Sequence, residues 1–154
     1  MDLQIRTVMT KDDKELLLKD LCARLPYGVI CHYDCVFRCD TIVVQRTNAR
    51  GKLVGIEPTF DGEFGFMVDY TKINAWYDNI RPYLHPMSSI TKEEREEFRM
   101  LGGVMSYSPQ HNTWAISAFS PEAYDWLNKK MFDFRGLIPK GLALKAPEVM
   151  YKNV

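Results

Sequence analysis

The chain has 154 residues, of which 46% are hydrophobic, so it is long and apolar enough to bury a core and is not of disordered composition. Lysine and arginine together number 20, as do aspartate and glutamate, and this balance argues against a dedicated duplex-DNA binder. The sequence has no apolar run of the length that spans a bilayer, and its N-terminal residues mix acids and bases without the apolar segment of a signal peptide. We therefore expect a cytoplasmic protein with free thiols and no membrane partner.

The first predicted element is a helix from about Thr10 to Arg24. Thr10 can cap this helix, and Leu17 and Leu21 lie on one apolar face. The helix should end at Leu25, because the residue before a proline disfavours the helical region. No internal repeat, low-complexity tract or linker follows, so we expect one domain over residues 1–154.

The next part of the chain is predicted to form short antiparallel strands joined by turns. Asn48 and Gly51 tolerate the backbone angles of a hairpin loop, which places a turn at residues 47–52. The predicted strands cover residues 27–31, 41–45, 52–56 and 64–68.

Residues 31–40, CHYDCVFRCD, place three cysteines and a histidine in one run. On a strand, cysteines four residues apart are separated by roughly 13 Å, whereas sulfurs bound to one zinc lie within about 4.6 Å of each other. The alternation of Cys31, Tyr33, Cys35, Phe37 and Cys39 with mostly polar residues is the period of a strand with one apolar face. We therefore predict a strand with buried structural thiols, and neither a metal site nor a cofactor.

Three more helices are predicted in the second half of the chain. Ile73, Trp76, Tyr77 and Ile80 have helical spacing, which predicts a helix over residues 71–81. A capping-box pattern begins a helix at residue 91, and Ser-Pro begins another at residue 120, after a strand at 113–119. Residues 132–144 should cross the core irregularly. The expected fold class is α+β, an antiparallel β-meander sheet packed against about four helices.

The candidate binding residues lie in two segments. Two prolines in residues 81–89 are expected to fix a rigid loop between helices, where binding groups tend to sit. The alternative is a stiff connector whose apolar residues pack inward. Residues 132–136 place an arginine beside aromatic side chains, a combination that stacks nucleobases, although core packing is the favoured explanation. The predicted ligand- or partner-binding residues are Arg81, Tyr83, His85, Ser88 and Arg135.

Catalytic and phosphate-binding motifs are missing from the sequence, which contains no P-loop, no G-x-G-x-x-G and no G-x-S-x-G. A Cys–His nucleophilic pair that uses Cys31 or Cys35 is one remaining route to catalysis. A nucleic-acid role would require a set of scattered basic residues to share one face. These are Arg24, Arg46, Arg50, Lys52 and Lys72.

Three segments together carry a family resemblance: DLCARLPYGV at residues 20–29, PYLHPMSSIT at 82–91 and DFRGLI at 133–138. With these segments the chain resembles an uncharacterised protein family of gut Bacteroidetes and of their phages and prophages. Members of that family are similar in having arginine at the position of His85 and tyrosine at the position of Phe134. The resemblance implies a bacterial or phage origin, and no activity comes with it.

The sequence thus favours a non-enzymatic binding module whose partner is a protein or a nucleotide-like small molecule. One alternative is a small hydrolase or nucleotide-modifying enzyme that uses His85 or a Cys–His pair. Another is a nucleic-acid accessory protein. A deep pocket with His85 facing inward beside a carboxylate would favour the enzyme.

Overall fold

The structure is a computed structural model that describes residues 9–39, 41–59, 62–69, 71–73, 80–111 and 113–152. At residues 35–39, 42–46 and 71–73 it describes the backbone only. Within these ranges the chain forms three α-helices and two β-sheets, which confirms the predicted α+β class. No helix in these ranges is long and apolar enough to cross a membrane.

The three helices begin where their capping residues predict. Helix α1 (Lys11–Arg24) is capped by Thr10, whose hydroxyl accepts a hydrogen bond from the Asp13 N–H at 3.1 Å. Helix α2 (Lys92–Met100) has both hydrogen bonds of the predicted capping box between Thr91 and Glu94. Helix α3 (Pro121–Lys129) begins at Pro121, as predicted, and is capped by the Ser120 hydroxyl. These side chains satisfy N–H groups that a helix leaves without partners at its start.

The larger sheet has six strands in the order β4-β3-β2-β1-β5-β8. Neighbouring strands from β1 to β4 are antiparallel, β5 returns to the other side of β1, and β8 adds parallel to β5. The sheet therefore differs from the predicted meander, because β5 and β8 lie on the other side of β1 from β2. Its strands are β1 (Ile30–Cys39), β2 (Ile42–Pro58), β3 (Phe64–Val68), β4 (Thr71–Ile73), β5 (Ile80–Leu84) and β8 (Leu144–Lys145).

A second, two-stranded sheet pairs β6 (Gly103–Ser108) with β7 (Thr113–Ala118) in antiparallel register. Strand β7 was predicted, whereas β6 was not. Its sequence GVMSYS begins with glycine and two adjacent apolar residues, which leaves only four alternating residues, so the pairing with β7 identifies it.

The predicted turn at residues 47–52 is wrong, because β2 passes through that segment. The chain reverses between Cys39 and Ile42 instead. Asn48 does adopt a positive φ of 52°, but it does so in a β-bulge opposite Asp34. The Asn48 N–H donates a 2.7 Å hydrogen bond to the Asp34 carboxylate, which stabilises the extra residue within the strand.

The predicted helix over residues 71–81 is contradicted at both ends, where the chain forms β4 and β5. Residues 74–79, including Trp76 and Tyr77, lie outside the described residues. Along β5, Arg81 is half-buried and the other four residues are buried. Pairing with β1 therefore outweighs the helical spacing that Ile73 and Ile80 share.

Two hydrophobic clusters form the core. The first lies between α1 and the larger sheet and includes Leu17, Leu21 and Leu53. The second lies between α2, α3 and the smaller sheet, where Trp126 stacks between Phe98 and Phe132 with ring centroids 5.4 and 5.7 Å away. The predicted irregular segment after α3 does cross the core, since Leu137 and Leu142 are buried in the first cluster.

A buried ionic network joins the two clusters. The Arg24 Nε lies 2.9 and 3.0 Å from the two oxygens of the Asp20 carboxylate, and both side chains are fully buried. The Arg24 guanidinium also donates to backbone carbonyls at the end of α3 and to that of Phe132, which ties the end of α1 to the end of α3. A buried arginine is tolerated here because its donors have acceptors.

Candidate functional site

A cavity of about 1020 Å³ opens where the two hydrophobic clusters meet. This volume is at the upper end of the range for small-molecule sites. The floor contains apolar residues from three separate segments of the chain. They are Leu25, Leu53, Met131 and Phe132, and all of them are buried or half-buried.

The charged residues around the cavity are mostly basic. Four exposed lysines and two glutamates contribute to the lining, so the formal charge of this lining is positive. Within the described residues, none of the four ammonium groups lies within 4.0 Å of a carboxylate. The lysines are Lys52, Lys129, Lys130 and Lys152, and the glutamates are Glu94 and Glu148.

Aromatic rings lie beside these charges. Tyr27, Phe132 and Tyr151 line the cavity together with His85. The His85 ring packs against Phe132 with a centroid distance of 6.1 Å and against Tyr151 edge-on at 5.7 Å. The cavity therefore combines cations with faces and edges of flat rings.

His85 is held in place through its backbone. Its N–H donates to the Met131 carbonyl at 2.7 Å, and its carbonyl accepts from the Asp133 N–H at 2.8 Å, so residue 85 forms a bridge to the segment after α3. Burial lowers the pKa of the His85 imidazole below its ordinary value, and the nearby Glu94 carboxylate partly opposes this shift. His85 thus lines the cavity as a half-buried group near a carboxylate.

Tyr151 fixes the C-terminal segment over the cavity. Its hydroxyl accepts a 3.0 Å hydrogen bond from the Ile30 N–H and donates a 2.8 Å hydrogen bond to the Tyr83 carbonyl. Burial raises the pKa of this hydroxyl, so it remains a protonated donor. The contacts join β1, β5 and the C-terminal turn at one point of the cavity wall.

Gly28 and Lys52 lie beside each other in the lining of the cavity. Gly28 follows the 3₁₀ turn Leu25–Tyr27 with a positive φ of 72°, a conformation that side chains with a Cβ disfavour. A Cβ at residue 28 would lie 2.6 Å from Lys52 Cε. The positive φ therefore explains the glycine, and the Lys52 side chain packs where a Cβ of residue 28 would lie.

Of the predicted binding residues, only His85 contributes to this cavity. Residues 81–89 are not a loop between helices, because Arg81 and Tyr83 lie on β5 and Ser88 lies in the 3₁₀ turn Met87–Ser89. The Arg81 Nε donates to the Gly141 carbonyl at 2.9 Å. Tyr83 is buried, and the Arg50 guanidinium lies 4.7 Å from the centroid of the Tyr83 ring. Ser88 is exposed.

Arg135 belongs to the buried ionic network. It donates hydrogen bonds to the Asp20 carboxylate at 2.6 Å and to the Asn128 side chain at 3.0 Å. Its guanidinium lies 4.2 Å from the centroid of the Phe134 ring, so the predicted pairing with an aromatic residue exists and serves packing. Burial lowers the pKa of Arg135, and Asp20 opposes that effect.

The cysteine run forms strand β1, as predicted. Cys31 is a buried free thiol, and burial raises its pKa, so the nucleophilic thiolate is disfavoured. The side chains of Cys35 and Cys39 lie outside the described residues. Among the residues that are described, no group of three metal-binding side chains is close enough to hold an ion.

The basic residues proposed for a nucleic-acid face do not all reach the surface. Arg24 is fully buried in the ionic network, whereas Arg50 and Lys52 are exposed on β2. The side chains of Arg46 and Lys72 lie outside the described residues. The predicted basic face therefore lacks Arg24.

Most residues that line the cavity were not among the predicted binding residues. Lys129 and Lys130 follow each other at the end of α3, and this pair is the one local signal that the sequence offered. Lys52 and Lys152 are about a hundred residues apart, so only the fold brings them to one opening.

Comparison with known proteins adds no functional assignment. No protein-family model matches this chain, no curated protein matches it, and no solved structure matches its fold.

Proposed function

We propose that this protein is a binding module for a nucleotide-like ligand, an anionic small molecule with a flat ring system, which it holds in the cavity around His85. The single observation that carries the proposal is the lining of that cavity, where four lysines without an ion-pair partner among the described residues surround aromatic rings. Phosphate groups and nucleobases require these two kinds of contact.

The electrostatics of the lining favour an anion. Lysine side chains on a partly open rim act as mobile point charges, which suits phosphate groups of varied position more than a single carboxylate. Glu94 and Glu148 oppose this charge in part, so binding should depend on ionic strength.

The shape of the site favours a small molecule over a protein surface. A cavity of about 1020 Å³ encloses a ligand on several sides, and its apolar floor of Leu53, Met131 and Phe132 offers a surface for a ring. Tyr27 and Tyr151 supply further aromatic contacts, and stacking on such rings contributes about 1–3 kcal/mol per base.

The proposal is tested by calorimetric titration with purine and pyrimidine nucleoside mono-, di- and triphosphates and with inorganic pyrophosphate. The double variant Lys52→Gln/Lys130→Gln should bind these compounds roughly tenfold more weakly than the wild type. Each exposed ammonium group should contribute about 0.7 kcal/mol of binding free energy, and the two losses add. Lys140→Gln is the matched control, because Lys140 is exposed and does not line the cavity. Equal affinities for the wild type and the double variant, or no binding of any of these compounds, would contradict the proposal.

A second candidate function is a small hydrolase or nucleotide-modifying enzyme that uses His85. The observation that favours it is that His85 and the Glu94 carboxylate line the same cavity. The lowered pKa of His85 keeps its imidazole neutral, as a general base requires. Release of phosphate or base from any titrated nucleotide, lost in His85→Ala while binding persists, would distinguish the enzyme from the binding module.

A further inference from the structure

The outer edge of strand β7 has backbone groups that no neighbouring strand uses. Among the described residues, β6 is the only strand that pairs with β7. The Phe119 N–H donates to the Gly102 carbonyl, and hydrogen-bonded pairs alternate along an antiparallel ladder. The N–H and C=O groups of Trp114, Ile116 and Ala118 therefore point away from β6.

This edge lacks the features that normally prevent strand association. Residues 113–119, TWAISAF, contain no charged residue and no proline. Proteins usually protect exposed edges with lysine, proline or a bulge. Each β7 residue is exposed or half-buried, and Phe119 directly after the strand is 77% exposed. On β6, by contrast, Gly103 is buried against the Phe98 ring.

We propose that β7 is a dimerisation edge, which pairs in antiparallel fashion with β7 of a second copy of this chain. In the register centred on Ile116, Trp114 lies opposite the partner's Ala118, and Ile116 lies opposite the partner's Ile116. Each residue that points outward then meets another such residue, and each of these pairs exchanges two hydrogen bonds. The register is symmetric, as a two-fold dimer requires.

A second copy fits this edge better than a charged partner strand does. The strand is neutral, so identical strands meet without like-charge repulsion. Pairing joins two marginal two-stranded sheets into one four-stranded sheet. The same register places the exposed Phe119 ring beside the partner's Thr113, which removes apolar surface from water. The proposal is independent of any ligand in the cavity.

The test places charges at Ala115 and Ser117, two exposed positions that lie opposite each other across the proposed interface. In the register given, Ala115 faces the partner's Ser117, with Cβ atoms about 4.5–5.5 Å apart. The variant Ala115→Lys/Ser117→Lys places like charges in both cross-strand pairs. The matched control Ala115→Lys/Ser117→Glu places opposite charges in the same pairs.

Sedimentation velocity of the full chain from 5 to 300 µM measures the oligomeric state, and circular dichroism shows whether each variant folds. We expect a dimer for the wild type, retention of the dimer in the Lys/Glu control, and a dissociation constant at least tenfold higher in the Lys/Lys variant. A wild type that is monomeric throughout this range would overturn the proposal, and so would a dimer that the Lys/Lys variant leaves unchanged. If the Lys/Lys variant does not fold, Ala115→Glu/Ser117→Glu places like negative charges in the same cross-strand pairs and is compared with the same control.

Discussion

Asp20 provides the sharpest test of how the two halves of the core are joined. Its fully buried carboxylate accepts hydrogen bonds from Arg24 and from Arg135, at distances between 2.6 and 3.0 Å. In Asp20→Asn, the amide keeps the shape of the side chain but loses the charge. Arg24 and Arg135 then lose the carboxylate that accepts hydrogen bonds from both of them, and the Asp133 carboxylate is left as the nearby anion.

The size of the effect follows from burial. Removal of one member of a buried ion pair costs about 3–5 kcal/mol, because the remaining charge is left without compensation. Native domains have a total stability of about 5–15 kcal/mol, so this substitution removes a large part of it. For a chain of this size, the melting temperature should fall by roughly 6–20 °C.

Urea unfolding monitored by circular dichroism measures this change directly. Glu96→Gln is the matched control, because Glu96 forms an ion pair with Arg99 whose side chains are 59% and 65% exposed. We expect no measurable change in that control. If Asp20→Asn cost less than about 1 kcal/mol, the network would not join the clusters in the way described.

Three further predictions concern packing, pH and thiol reactivity. Gly103→Ala should destabilise the protein by about 1–3 kcal/mol in urea unfolding, because a Cβ there would lie 2.3 Å from the buried Phe98 ring. His85 should make the folded state less stable as the pH falls below about 6.5, since its pKa is lowered on folding and the unfolded chain then binds the additional proton. Urea unfolding between pH 5 and 8 should show this dependence reduced in His85→Gln. Cys22 should react with iodoacetamide in the folded protein while Cys31 does not, as peptide mass spectrometry would detect.

Each of these predictions has a control in the same chain. Gly62→Ala also adds a methyl group, but no atom lies within 4 Å of the site, so it reports backbone strain without a clash. His111→Gln, which removes an exposed histidine that does not line the cavity, is the control for His85→Gln. Full alkylation of Cys31 under native conditions, or identical pH profiles for the wild type and His85→Gln, would contradict the burial described for these groups.

The parts of the fold that sequence predicts well are those fixed by local contacts. The capping box of Thr91 and Glu94 and the cap of Ser120 join residues three positions apart, so the sequence alone reveals them. Residues 31–39 likewise lie on one strand, and Cys31 and Tyr33 are buried there while His32 and Asp34 are half-buried.

The predictions that were wrong concern segments whose structure depends on residues far away in the sequence. Asn48 favours a positive φ in a turn and in a bulge alike, and the contact with Asp34 on the neighbouring strand selects the bulge. Arg135 lies beside an aromatic ring as predicted, but its partner Asp20 is 115 residues away in the sequence. The cavity depends on the fold in the same way, since its lysines come from β2, from the end of α3 and from the C-terminal turn.

Photo-crosslinking with 8-azido-ATP tests most directly whether the cavity around His85 is the ligand site. We expect label on peptides that contain Tyr27 or Tyr151, suppressed by excess unmodified ATP and reduced in Lys52→Gln/Lys130→Gln. Label on peptides outside the cavity lining, or label that excess ATP does not suppress, would contradict it.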